Sequence, residues 1–336
     1  MSARMTRDPK ALDPSEVRAI NEQASVLMKQ GIGRLDDGDH AAIVEALSCF
    51  DRALDMRRGL PIDDDPLLRY GLAACLLNRG DALVRLGDAG RMVDALDAFD
   101  EGIDVLRALP LSADARFPRR LAMACHNRGL ALQAMGRPVA EPIAAFTDAL
   151  AILDDDQASG ITDREYLLAV VLTNLASARV IENTTESAAL ARDAARRAIA
   201  LVEGLETGDA AAAEVGLKAR HALCHTIAVR LSAPAASDDP MPEDVHEATD
   251  VADEGLDLVR QWEKKGVARF RAIGYDLFRF GTVVYATYQP QFLNEFVREH
   301  LDPNRSSAEY VGSAEMRAAV QEALERWGPR NDSPGD

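Results

Sequence analysis

A chain of 336 residues has room for two compact domains or one elongated array of repeats. Apolar residues make up 47% of it and aromatics only 5%, so Ala and Leu must carry the core, and together with Glu and Arg they favour helix almost throughout. A formal net charge of −17 without any basic run excludes a binder of phosphate backbones, so no nucleic-acid partner is expected.

In chain order, residues 1–12 lack the apolar stretch of a signal peptide and are expected to form a tail. Helix pairs are then predicted over 14–35 with 39–59, 66–86 with 89–109, 114–135 with 139–154, 163–182 with 185–205, and 209–233 with 242–265. Turn residues and acid separate them: LPIDDDP at 60–66, LPLSAD at 109–114, DDDQASGITD at 154–163. PAASDDPMP at 234–242 forms a longer loop inside the fifth pair. The most apolar segment, Tyr166 to Ala178, is shorter than the ~20 residues a spanning helix needs. No membrane partner is expected, and a cytoplasmic location is. Cys49, Cys75, Cys125 and Cys224 are widely spaced within apolar helical patterns, as buried free thiols are.

The helices repeat. A small residue, three others, a large one, two others and a small one recur at Ala46/Phe50/Ala53, Ala95/Phe99/Gly102 and Pro142/Phe146/Ala149. Ala191/Ala195/Ala198 and Ala248/Ala252/Gly255 keep the spacing with Ala in place of Phe. Spacings of four and three put the three residues on one helix face, where the small ones admit a neighbouring helix. A second phase lies upstream: Ala24 with Gly31, Gly80 with Gly87, Gly129 with Gly136, and Ala176 with Asn183. Its second member is suited to a left-handed helix C-cap.

These positions resemble the tetratricopeptide repeat superfamily, whose pattern places small residues at the eighth, twentieth and twenty-seventh positions and an aromatic at the twenty-fourth. The helices are longer than the family's, and the repeats are similar in pattern to those of the kinesin light chain type. The resemblance implies an all-α, right-handed superhelical solenoid of antiparallel helix pairs, with five pairs over 13–266 and the first helix of each lining a concave groove. The last part differs: 11 of the 17 aromatics lie from Trp262 onward. Helices over 267–288, 291–301 and 306–327 are expected to form an aromatic-rich cap over 267–328, with a tail at 329–336.

In kinesin light chain and related repeats, an Asn two residues before the first small residue faces the groove and holds the backbone of a bound peptide. Asn78, Asn127 and Asn174 stand at that place here, and an amide offers both donors and an acceptor for any peptide sequence. Arg79 and Arg128 follow two of them, where the family usually carries a buried Leu. Either their guanidinium groups reach acidic neighbours, or, with Arg179, they face the groove and read carboxylates.

Other chemistry is thin. His221 and His225 stand at i and i+4 with Cys224 between them, weak candidates for a metal, since no third ligand can be placed. GIGRLDDG at 31–38 follows no strand and is no phosphate loop, and there is no Gly-x-Ser-x-Gly. The expectation is therefore a protein without enzymatic activity or cofactor. It would be a scaffold or chaperone-type module that holds a protein or peptide in its groove. One alternative is a small-ligand or metal sensor that uses the C-terminal aromatics or His221 and His225. Another is a structural oligomerisation module.

Overall fold

The computed structural model describes residues 12–232 and 242–301. The expected helix 306–327, the tail 329–336, all but Leu12 of the tail 1–12, and most of the 234–242 loop lie outside the described residues. Among the described residues every regular element is helical, and the fold is an all-α helical repeat of the solenoid type. The chain divides into two compact units, Met1–Arg164 and Glu165–Asp336.

The first unit holds α1 (Pro14–Asp37), α2 (His40–Arg58), α3 (Pro66–Leu86), α4 (Ala89–Arg107), α5 (Arg116–Ala134) and α6 (Ala140–Asp154). Each odd-numbered helix pairs with the next, and the pairs stack through α2 on α3 and α4 on α5. The local chemistry explains where helices begin. Asp13, Asp39, Asp65 and Asp88 each accept backbone N–H groups of the first turn, and Asp13 with Glu16 completes a capping box. Left-handed residues end the first helix of each of the first four pairs: φ is +76° at Gly38, +73° at Gly87, +63° at Gly136 and +51° at Asn183.

Those caps correct the register of the first repeat. Seven residues before them stand Gly31, Gly80, Gly129 and Ala176, so Gly31 rather than Ala24 is the partner of Gly80. Packing agrees. A Cβ on Gly80 would come within 2.7 Å of Phe99 Cε1, and one on Gly129 within 2.5 Å of Phe146 Cε1. Gly31 meets Phe50 in the same way, and all three rings are fully buried. Two turns of α1 separate Ala24 from Gly31, so both lie on one buried face, and small-residue spacing alone could not tell them apart. The residue of the first repeat that stands where Asn78 and Asn127 stand in the next two is accordingly Lys29.

Charge ties successive pairs together. Arg79 Nε lies 2.8 Å from Asp51 Oδ1 and Arg128 Nε 2.5 Å from Asp100 Oδ1, each Asp directly following the Phe of the preceding repeat. Between second helices, Arg58 pairs with Glu101 at 2.6 Å and Arg107 with Asp148 at 3.4 Å.

The second unit holds α7 (Arg164–Ile181), α8 (Thr185–Val202), α9 (Ala210–Ser232), α10 (Pro242–Lys264), α11 (Arg271–Tyr288) and α12 (Pro290–Leu301). The expected helix 267–288 opens instead with one 3-10 turn at Ala268–Phe270, and α11 starts at Arg271. The aromatic-rich pair α11/α12 reuses the Gly–Phe contact: a Cβ on Gly281 would lie 2.5 Å from Phe296 Cζ. Phe296 also stacks on Phe278, at 5.4 Å between centroids and 13° between planes. Residues 291–301 therefore belong to a helix packed inside its own unit, held further by His300 Nε2 at 2.8 Å from Asp253 Oδ1 of α10.

Candidate functional site

The expected site residues fall in three places. Asn78 on α3 and Asn127 on α5 are half-buried in the first unit, Asn174 and Arg179 are half-buried on α7 of the second, and the His221/Cys224/His225 group lies on α9.

On the first helices of the first unit, Asn127 Nδ2 donates to Asp81 Oδ1 of α3 at 3.0 Å, while its Oδ1 lies 3.1 Å from His126 Nδ1. Asp81 stands one turn beyond Asn78 on the same helix. Burial pushes its carboxyl above the usual carboxylate range, against the opposing pull of Arg85, the Asn127 amide and Arg120. The side-chain amide of Asn78 makes no hydrogen bond with any described residue. Asn174 turns back on its own helix, with Nδ2 donating to the Val170 carbonyl at 3.1 Å.

Sequence reasoning missed two residues of this face. Arg116 and Arg120 of α5 carry their guanidinium carbons 5.7 and 5.8 Å from the centre of the Tyr70 ring of α3. Arg116 is occupied by Asp114, at 2.5 Å. Arg120 has no ion pair with a described residue, and its buried Nε has no hydrogen-bond partner. A signal was present: Arg120 precedes Asn127 by seven residues and shares its face. By contrast, Arg79 and Arg128 are spent on Asp51 and Asp100, the first of the two readings open from sequence.

In the second unit, the faces of α9 and α11 line an open-sided cavity of about 550 Å³. His221 Nε2 and His225 Nε2 are 3.3 Å apart at its wall, and Asp276 Oδ2 of α11 is 3.7 Å from His221 Nε2. Burial lowers both imidazoles from their ordinary 6.5, which keeps them neutral near pH 7. Burial pushes the Cys224 thiol far above its ordinary range, away from the thiolate that a metal needs. Among the described residues no group of three His, Cys, Asp or Glu side chains is placed to hold a metal ion.

No protein-family model matches this chain, and no curated protein matches it. Among solved structures it is similar to BtubC (BKLC) from P. vanneervenii, 15% identical, covering 88% of this chain and 97% of that one at a TM-score of 0.50. It also matches the de novo designed helical repeat protein DHR64, 13% identical over 64% of this chain and 99% of that one, at a TM-score of 0.25. A third match is yeast Tom70, 13% identical over 95% and 66%, at 0.31. The BtubC likeness is one of fold. Among the described residues, no helix is long and apolar enough to cross a membrane.

Proposed function

We propose that the face formed by α1, α3 and α5 binds an extended segment of a protein partner, and that the protein acts as an interaction scaffold. One observation carries the reading. A row of polar groups lies across otherwise Ala- and Leu-rich helices, and two of them, the half-buried Asn78 side-chain amide and the half-buried Arg120 guanidinium, have no side-chain hydrogen bond or ion pair with a described residue. Unused hydrogen-bonding capacity on a helix face is what a peptide backbone and an acidic side chain would satisfy. The resemblance to kinesin light chain type repeats, where an Asn at this place grips peptide backbone, supports the role of Asn78 and Asn127. Asn174 holds the corresponding position on α7 and, with Arg179 five residues later on the same helix, enters the proposal as a similar device in the second unit. Arg79 and Arg128 enter it as supports that brace one pair against the next. The charge-reading role passes to Arg120.

The test starts with peptide-display selection on the full-length protein and continues with titration of a selected peptide against variants. Each lost amide hydrogen bond is worth about 1 kcal/mol, so Asn78→Ala is expected to weaken binding about five-fold. Arg120→Gln should weaken acidic peptides more than neutral ones. Selected peptides that bind Asn78→Ala and Arg120→Gln as tightly as the parent would place the partner surface elsewhere.

A further inference from the structure

We infer that the cavity between α9 and α11 is a binding site for a small hydrophobic carboxylate. This is a ligand class and a place independent of the peptide-binding face. The size fits: about 550 Å³ lies within the range of cavities that enclose small organic molecules, roughly 300–1,000 Å³. The wall divides by chemistry. Phe280 and Val283 of α11 supply an apolar side, while His221, His225, Asp276 and Arg279 supply a polar one.

The charges on the polar side are not balanced against each other. Asp276 faces His221, at 3.7 Å, and does not pair with Arg279 three residues later on the same helix. Elsewhere in the protein Arg91 with Asp88 and Arg260 with Asp257 take up that i, i+3 pairing. Arg279 instead lies 5.8 Å from the centre of the Tyr275 ring and has no ion pair with a described residue. A half-buried guanidinium without an ion-pair partner, beside a histidine pair that shares one N–H between its rings and keeps one more to donate, is a ready receptor for a carboxylate head group. The apolar side receives the body attached to it. A metal is the poorer occupant, because two histidines and a carboxylate 3.7 Å from only one of them do not form a three-donor group.

The experiment is isothermal titration of the full-length protein with octanoate and 3-phenylpropionate. Octanamide, 3-phenylpropionamide and octylamine serve as neutral and cationic counterparts of the same shape. The carboxylates are expected to bind about 10-fold tighter than their amides, the size of a charge-assisted over a neutral contact. Arg279→Gln is expected to erase that preference while leaving the amide affinity in place. Val283→Trp fills the apolar side and is expected to abolish binding of both, with circular dichroism and melting temperature confirming the fold. Absence of binding by either carboxylate at millimolar concentration overturns the inference. So does an amide or amine that binds as well as the acid, or carboxylate binding that survives Val283→Trp.

Discussion

Gly31 and Gly33 stand two residues apart in α1 and permit an internally controlled test of the Gly–Phe packing. Replacing either with Ala brings the same gain in helix propensity and the same loss of unfolded-chain freedom, about 1 kcal/mol in favour of folding. They differ in what the new methyl meets. At Gly33 nothing lies within 4 Å, whereas at Gly31 the methyl would be driven into the ring of Phe50, which is fully buried with 0% exposure. Overpacking a closed core costs about 1–3 kcal/mol. Gly33→Ala should therefore stabilise by about 1 kcal/mol, and Gly31→Ala should range from no effect to a destabilisation of about 2 kcal/mol. The propensity term cancels in the difference, which isolates the clash at about 1–3 kcal/mol. Urea unfolding followed by circular dichroism reads this as a raised midpoint for Gly33→Ala and an unchanged or lowered one for Gly31→Ala, at a constant slope. Phe50→Leu, which shortens the ring side, should recover part of the loss in a Gly31→Ala background and lower stability when made alone. Equal midpoint shifts for the two alanine variants would falsify the packing argument.

A double-mutant cycle on Arg79→Ala and Asp51→Ala should give a coupling of about 0.2–1 kcal/mol that shrinks with added salt, as befits a pair whose side chains keep 26% and 47% exposure. A cycle energy near zero at low salt would leave the arginine without its bracing role. Asn183, at φ +51°, should tolerate Gly with little change and lose about 1 kcal/mol or more on substitution by Val, measured by thermal melting. The imidazoles of His221 and His225 titrate below their ordinary 6.5 in the folded protein, so the unfolded chain binds more protons as the pH falls. Their contribution is complete above pH 6.5 and is lost as the pH falls through the folded values. The His221→Gln/His225→Gln variant should accordingly lose less stability between pH 7 and 5 than the parent, and parallel pH profiles would contradict this assignment.

The sequence by itself determined the helices, because their signals are local. Acidic N-caps, left-handed Gly and Asn C-caps and the four-and-three spacing of small residues place α1 to α10 within a few residues of where they stand. It also marked Asn78 and Asn127 as equivalent positions of two successive repeats. What it could not settle was anything that depends on which turn of a helix meets which neighbour. A shift of seven residues leaves a helix face unchanged, so Ala24 and Gly31 were equivalent until Phe50 chose between them. The aromatic-rich end likewise became a helix pair with the same Gly–Phe joint only through the contact of Gly281 with Phe296. Ion pairs 28 residues apart, such as Arg79 with Asp51, and a cavity lined from α9 and α11 together require two elements to be placed in space. Tertiary structure alone decided these, because side-chain pairing across helices is set by stacking and not by the local conformational preferences that the order of residues encodes.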